Sequence, residues 1–177
     1  IQEGDYSYSF IDIAEMVQIY SQSLLGEGIQ PYDRILIYLP SGTQMVEIIL
    51  ACFEIGATAT PISSMLSERE RRAVIEKITP TLIITNWEYK ASFTSYSLPL
   101  TPIEELPNSA RGCSIVKNSY KQNSDDIAVI ILTSGTTGIP KAVQLSYGNF
   151  ETSCSNWNKF MNFEHSDQFL CCLPLHL

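Results

Sequence analysis

Basic residues are scarce in this sequence. Its 177 residues carry 11 Lys plus Arg against 19 Asp plus Glu, a formal charge of -8. Binding a nucleic-acid backbone needs clustered cations, which this balance does not supply, so no nucleic acid is expected as a partner. Long apolar runs are missing too. None approaches the ~20 residues needed to span a bilayer, and no signal peptide opens the chain. The five cysteines, Cys52, Cys113, Cys154, Cys171 and Cys172, are odd in number and form no C-x-x-C pair. That argues against a disulfide framework or a zinc site and for buried free thiols in a reducing cytoplasm. The absence of any N-x-[ST] acceptor agrees with an intracellular protein. Neither G-x-x-x-x-G-K-[ST] nor G-x-G-x-x-G occurs, and the loop spacing disfavours a P-loop kinase or ATPase. There is no internal repeat and no low-complexity segment.

What is present is core-forming material. Apolar residues make up 45% of the chain and charged ones 17%, so one ordinary domain, or a piece of a larger one, can bury a core. Phe10, Ile13, Ala14, Val17, Tyr20 and Leu24 fall at helical spacing, closed by Gly26 and Gly28. "RILIYLP" (Arg34 to Pro40) is a short continuous apolar run, as expected of a strand buried on both faces. A second helix is expected over Thr43 to Ile55 with Gly56 as its stop, then a strand in "ATATPI". Ser67 and Glu70 form a capping box that opens a third helix running to about Ile78, and "TLIIT" is the next strand. The mixed-sign cluster "SERERRAV" (Ser67 to Val74) reads as a solvated helix face.

Asn86 to Asp126 breaks this rhythm; it is expected to hold short elements, with "SIVKN" as an edge strand. The alternation resumes with "IAVIILT" (Ile127 to Thr133), a loop, a helix near Asn149 to Phe163, and an apolar strand in "QFLCCLPL". The fold class expected is α/β, a mainly parallel sheet flanked by helices. Trp157, Phe160 and Phe163 read as core, Cys171 and Cys172 as packing on opposite faces of the last strand, and Asn149 as a helix cap after a Tyr-Gly turn. Tyr6, Tyr8 and Phe10 alternate as a short strand would.

The loop "TSGTTGIPK" is the chemically distinctive stretch. Ligands collect beyond the carboxyl ends of parallel strands, and the preceding strand delivers the loop to that edge. Gly135 and Gly138 let the backbone approach a ligand closely, and successive N–H groups in such a loop form an anion-binding concavity. Thr133, Ser134, Thr136 and Thr137 add hydroxyl donors, and Lys141 adds a point charge suited to phosphate. The bland alternative is a Gly/Thr-rich turn with a solvated lysine; the placement after a buried strand favours a polyphosphate.

"LTSGTTGIPKAV" (Leu132 to Val143) resembles the phosphate-binding signature of the adenylate-forming (AMP-binding) superfamily, which includes acyl-CoA ligases, luciferases and peptide-synthetase adenylation domains. Asp125 and Asp126 before it, "LSYGN" after it and "LCCLPL" further on fall in the family's order. "YSFIDIAEMV", "YLPSGTQMVEIILACFEIGATATPI" and "TLIIT" resemble its amino-terminal half, so the resemblance covers essentially the whole chain. Two positions depart from the pattern. Ala142 stands where Gly usually follows the loop lysine, and in "LPLHL" His176 lies one place ahead of the usual histidine position, held here by Leu177. Within the superfamily, "KAVQLSYGN" and "FLCCLPL" look most like o-succinylbenzoate–CoA ligases of menaquinone and phylloquinone biosynthesis.

The resemblance implies ATP-dependent activation of a small carboxylic acid as its acyl-adenylate, followed by thioester formation with coenzyme A as co-substrate, with Mg2+ accompanying ATP. It assigns the ATP phosphates to Thr133, Ser134, Gly135, Thr136, Thr137, Gly138 and Lys141, and a possible acyl-site role to His176. No metal ligand is assigned within this chain. Residues for adenine, ribose and Mg2+, and the main catalytic residues, are expected beyond Leu177. Residues 1–177 are then an incomplete amino-terminal portion of one adenylation domain, inactive alone, and an opening Ile points to residues upstream. Other readings are a different aryl- or fatty-acyl–CoA ligase, an aminoacyl-adenylating domain, and, from another class, a truncated non-catalytic phosphate-binding module.

Overall fold

The structure is a computed structural model that describes residues 1–109, 120–133, 141–164 and 167–176. The chain opens with a small antiparallel hairpin, β1 (Gln2–Glu3) and β2 (Tyr6–Ser7), and enters helix α1 (Phe10–Gly26). Alternation follows with β3 (Arg34–Tyr38), α2 (Thr43–Ile55), β4 (Thr58–Pro61), α3 (Glu68–Ile78) and β5 (Leu82–Thr85). After a 3-10 turn at Lys90–Phe93 come β6 (Leu100–Pro102), α4 (Leu106–Ser109), β7 (Ile127–Thr133), β8 (Lys141–Ser146) and α5 (Tyr147–Met161).

The main sheet has six strands in the order β6-β5-β3-β4-β7-β8. Every pairing is parallel except β7 with β8. β3 lies at its centre because both of its faces are apolar. Ile35 and Ile37 join the cluster under α1 and α2, while Leu36 and Tyr38 join the cluster under α3. Each of these side chains is 2% exposed or less, and burying an Ile or Leu contributes about 1.5–3 kcal/mol. The result is the expected three-layer α/β arrangement.

Helix boundaries follow local chemistry. Gly56 ends α2 in the left-handed conformation, φ 78°, where a side chain is disfavoured. The Ser67–Glu70 box opens α3 as expected: Ser67 N–H donates to Glu70 Oε2 at 2.8 Å, and Glu70 N–H donates to Ser67 Oγ at 3.3 Å. Arg71 of α3 leaves the solvated face, its guanidinium lying 5.8 Å from both the Tyr38 and Phe93 ring centroids. Of the alternating Tyr6, Tyr8 and Phe10, only Tyr6 lies in a strand; Tyr8 falls after β2, and Phe10 is the exposed first residue of α1.

The carboxyl-terminal third corrects several expectations. Ser146, not Asn149, caps α5; Asn149 closes the box from the third helical position, and Tyr147 and Gly148 lie in the helix's first turn. Residues 168–175 form no strand, because no described strand offers them a ladder and an apolar run alone does not make a sheet. Cys171 and Cys172 are accordingly exposed, as is Cys154, while Cys52 is buried. Trp157 and Phe160 are 57% and 84% exposed: α5 buries Tyr147 and part of Phe150 against the core, and no described residue covers its outer face. Phe163 instead packs edge-on against Phe169, centroids 4.6 Å apart. "SIVKN" lies outside the described residues. Among those described, no helix is long and apolar enough to cross a membrane.

Candidate phosphate-binding site

The candidate site hangs on β7. Its Val129 and Ile131 face the α1–α2 side and its Ile130 and Leu132 the α3 side, so the strand is buried at Ala128–Ile130, half-buried on either side, and exposed at Thr133. The chain returns at Lys141 as β8, antiparallel, with Thr133 and Lys141 as the last paired residues. β7 is therefore followed in the sheet by an antiparallel neighbour, not by a crossover to a parallel strand. Thr133 belongs to β7 and Lys141 to β8; both are exposed, and neither ion pair among the described residues involves Lys141. Ser134, Gly135, Thr136, Thr137 and Gly138 lie outside the described residues. Because β7 is parallel to β3, β4 and β5, Thr133 emerges at the carboxyl edge of the parallel strands, the edge at which open α/β sheets bind ligands.

The opposite end of β7 is tied down by a network the sequence reading did not anticipate. Tyr120 Oη donates to Asp126 Oδ2 at 2.9 Å, and Tyr147 N–H donates to the Asp126 carbonyl at 3.0 Å. Thr58 Oγ1 donates to the Ile127 carbonyl at 3.0 Å, joining β4 to β7. Burial and the Asp126 carboxylate push the Tyr120 phenol up to about 12, so it stays a donor. The Tyr120 ring fills the space beside Gly56, where a Cβ would come within 2.6 Å of it. Asp126 thus holds together the strand that carries the loop and the helix that follows it. The local signal was an Asp pair leading an apolar strand, and its partners, Tyr120 and Tyr147, lie in separate segments.

His176 sits elsewhere on the same edge. Leu175 N–H donates to Ser41 Oγ at 3.1 Å, just past the end of β3, and Leu175 packs on the core. His176 is half-buried, and desolvation lowers its imidazole below the ordinary value, which favours the neutral ring. The structure thus pairs Thr133 with Lys141 and sets His176 beyond the end of β3, separated from β7 by β4 in the sheet.

A protein-family model described as AMP-binding enzyme matches residues 1–177. The chain belongs to the AMP-binding enzyme family. It is 30% identical over 173 residues to the 2-succinylbenzoate–CoA ligase of Oceanobacillus iheyensis, covering 98% of this chain and 36% of that protein. It is 29% identical over 172 residues to the 2-succinylbenzoate–CoA ligase of Bacillus pumilus, covering 97% of this chain and 35% of that one. In fold it resembles the o-succinylbenzoate coenzyme A synthetase of Bacillus subtilis in complex with AMP, with a TM-score of 0.89 at 24% identity, covering 99% of this chain and 45% of that one. The chain spans about a third of the length of the curated relatives it matches.

Proposed function

We propose that this chain serves an ATP-dependent acid–thiol ligase that activates a carboxylic acid as its acyl-adenylate and passes the acyl group to coenzyme A. The observation that carries the reading is the match of the whole chain to the AMP-binding enzyme family, with Thr133 and Lys141 paired at the carboxyl edge of the sheet. The acid we assign is o-succinylbenzoate. Both curated relatives above are ligases for it, and "KAVQLSYGN" and "FLCCLPL" support the same kinship.

In this reading the carboxylate oxygen attacks the α-phosphorus of ATP, a new P–O bond forms, and the bond to the β-phosphate breaks to release pyrophosphate. A thiolate then attacks the acyl carbon and expels AMP. The phosphoryl step asks the protein for positioning and charge compensation. Thr133, Ser134, Gly135, Thr136, Thr137, Gly138 and Lys141 supply donors and one cation for the departing β- and γ-phosphates, and His176 borders the acyl group. Mg2+ enters with the nucleotide. The described residues contain no group of three or more metal-ligating side chains, so no step is assigned to a metal held by this chain. Residues 1–177 act as the incomplete amino-terminal part of one adenylation domain, and alone they do not form adenylate.

The test is pyrophosphate–ATP exchange by the intact enzyme, with o-succinylbenzoate compared against benzoates, fatty acids and amino acids. Exchange dependent on o-succinylbenzoate is the expected result. Preference for another acid overturns the substrate, and no exchange with any acid favours a non-catalytic phosphate-binding module.

A further inference from the structure

A cleft of ≈ 770 Å³ opens between the β1–β2 hairpin, α1 and the first turn of α2, within the usual size range of small-molecule sites. Its lining has a one-sided chemistry. Glu3, Asp5 and Glu47 contribute carboxylates, Tyr6, Tyr8 and Tyr20 contribute rings, and no Lys, Arg or His is among the described lining residues.

The two inner carboxylates are not equivalent. Glu3 Oε2 accepts from Thr43 N–H at 3.0 Å, so the hairpin supplies the anion that α2 lacks at its own start, where Gly42 has no side chain to cap it. Contact with Thr43 holds the Glu3 carboxyl below its ordinary value, so it stays charged. Glu47 lies one turn further along α2. It is 4% exposed and has no hydrogen-bond or ion-pair partner among the described residues. Burial, and then the charge of Glu3, push its carboxyl up to about 7. Tyr20, 2% exposed, lines the same cleft near Glu47, and its hydroxyl likewise has no described partner. Both groups therefore face the cleft with no polar partner among the described residues, which leaves their hydrogen-bonding capacity open to whatever occupies it.

We propose that this cleft binds an organic cation, its ammonium group set between Glu47 and Glu3 and its carbon frame against the tyrosine rings. An ammonium supplies what the lining lacks. It donates to both carboxylates, neutralises their mutual repulsion, and is attracted to aromatic faces. A chelated metal fits less well, because the described residues offer no group of three or more metal-ligating side chains, and the tyrosines and the volume suit a molecule with a carbon skeleton. The inference stands apart from the ligase reading; it requires only the cleft.

The experiment is calorimetric titration of the intact protein with putrescine and with tetramethylammonium, at constant ionic strength. Butane-1,4-diol serves as the uncharged counterpart of putrescine. Saturable binding of an ammonium probe, none of the diol, and a loss of at least ~10-fold in affinity in Glu47→Gln are expected, as for one charge-assisted contact. Glu47→Gln keeps the side chain's size and removes a buried charge, and circular dichroism checks that it folds. If it does not, Tyr20→Phe decides, with a weakening of about threefold or more expected. Absence of saturable binding by the wild type, equal binding of the diol, or unchanged affinity in the deciding variant overturns the proposal.

Discussion

Thr133 and Lys141 are register partners, the last pair of the antiparallel β7–β8 ladder, which among the described residues is the one antiparallel pairing in the six-stranded sheet. The two ends of the intervening segment are fixed by the sheet: β7 is pinned at its start by Asp126, and β8 is paired to it. Lys141 projects from a strand end where it is exposed and makes no described ion pair, so its cation is available to a phosphate. Lys141→Ala in the intact enzyme is expected to lower pyrophosphate–ATP exchange by about ten- to a hundredfold, the effect of losing one charge-stabilising contact. Melting temperature should stay within about 2 °C, because an exposed side chain is removed. Unchanged exchange would remove Lys141 from the site.

Gly56 carries two constraints at once. Its φ is 78°, and a Cβ there would come within 2.6 Å of the Tyr120 ring. Gly56→Ala is expected to destabilise by about 1–3 kcal/mol in urea unfolding, through strain and displacement of the Tyr120–Asp126 pair. Tyr120→Phe, which keeps the ring and loses the hydrogen bond, should cost about 0.5–1.5 kcal/mol. If Gly56→Ala were neutral, the packing of Tyr120 against the α2–β4 turn would be wrong.

The elements that read well in the sequence are those whose burial is decided locally. The Ser67–Glu70 box, the glycine after α2 and the doubly apolar β3 need only their neighbours in the chain, and each falls where periodicity and capping place it. The Ser9–Asp12 and Ser146–Asn149 boxes were missed because Asp and Asn at the third helical position are weaker signals than Glu or Gln. β8 was missed because half of its residues alternate only weakly and its register comes from β7, not from its own pattern. β6 has three residues and is a strand only because β5 lies beside it. Residues 168–175 show the converse error. Their apolar run resembles a strand, yet the described chain gives it a hydrogen bond to Ser41 and a seat beside α2 in place of a ladder. At the site, the strand leading to the loop was legible. Its antiparallel pairing with β8, and the Tyr120–Asp126–Tyr147 network behind it, depend on contacts between separate segments. Glu47 carried an overlooked signal: it shares a helical stripe with the buried Thr43, Ala51 and Ile55, an acid in an apolar row.

Ser41 ties the segment bearing His176 to the end of β3 through a single hydrogen bond from Leu175 N–H. Ser41→Ala leaves that N–H without its partner and is expected to raise KM for the acid severalfold in the intact enzyme while KM for ATP changes less than twofold, since Thr133 and Lys141 lie on other strands. An equal change in both constants would place Ser41 outside the acyl side.

Glu47 sets a pH dependence whose sign follows from its burial. Its carboxyl is raised from 4.5 to about 7 in the fold, so between those values the native state holds a proton that the unfolded chain has released. Stability from this residue is therefore present in full below about pH 4.5 and is lost as pH rises through about 7. The neighbouring groups do not reverse this. Glu3 is lowered by Thr43 and stays charged across the window, opposing ionisation of Glu47, while the Tyr20 phenol, raised by burial and by Glu47 and Glu104, titrates far above it. Going from about pH 5 to about pH 8, the wild type should lose roughly 1–3 kcal/mol that Glu47→Gln retains, read as the difference between their urea-unfolding free energies at each pH. Parallel pH profiles for the two proteins would mean that the Glu47 carboxyl is solvated in the cleft and titrates as it does in the unfolded chain.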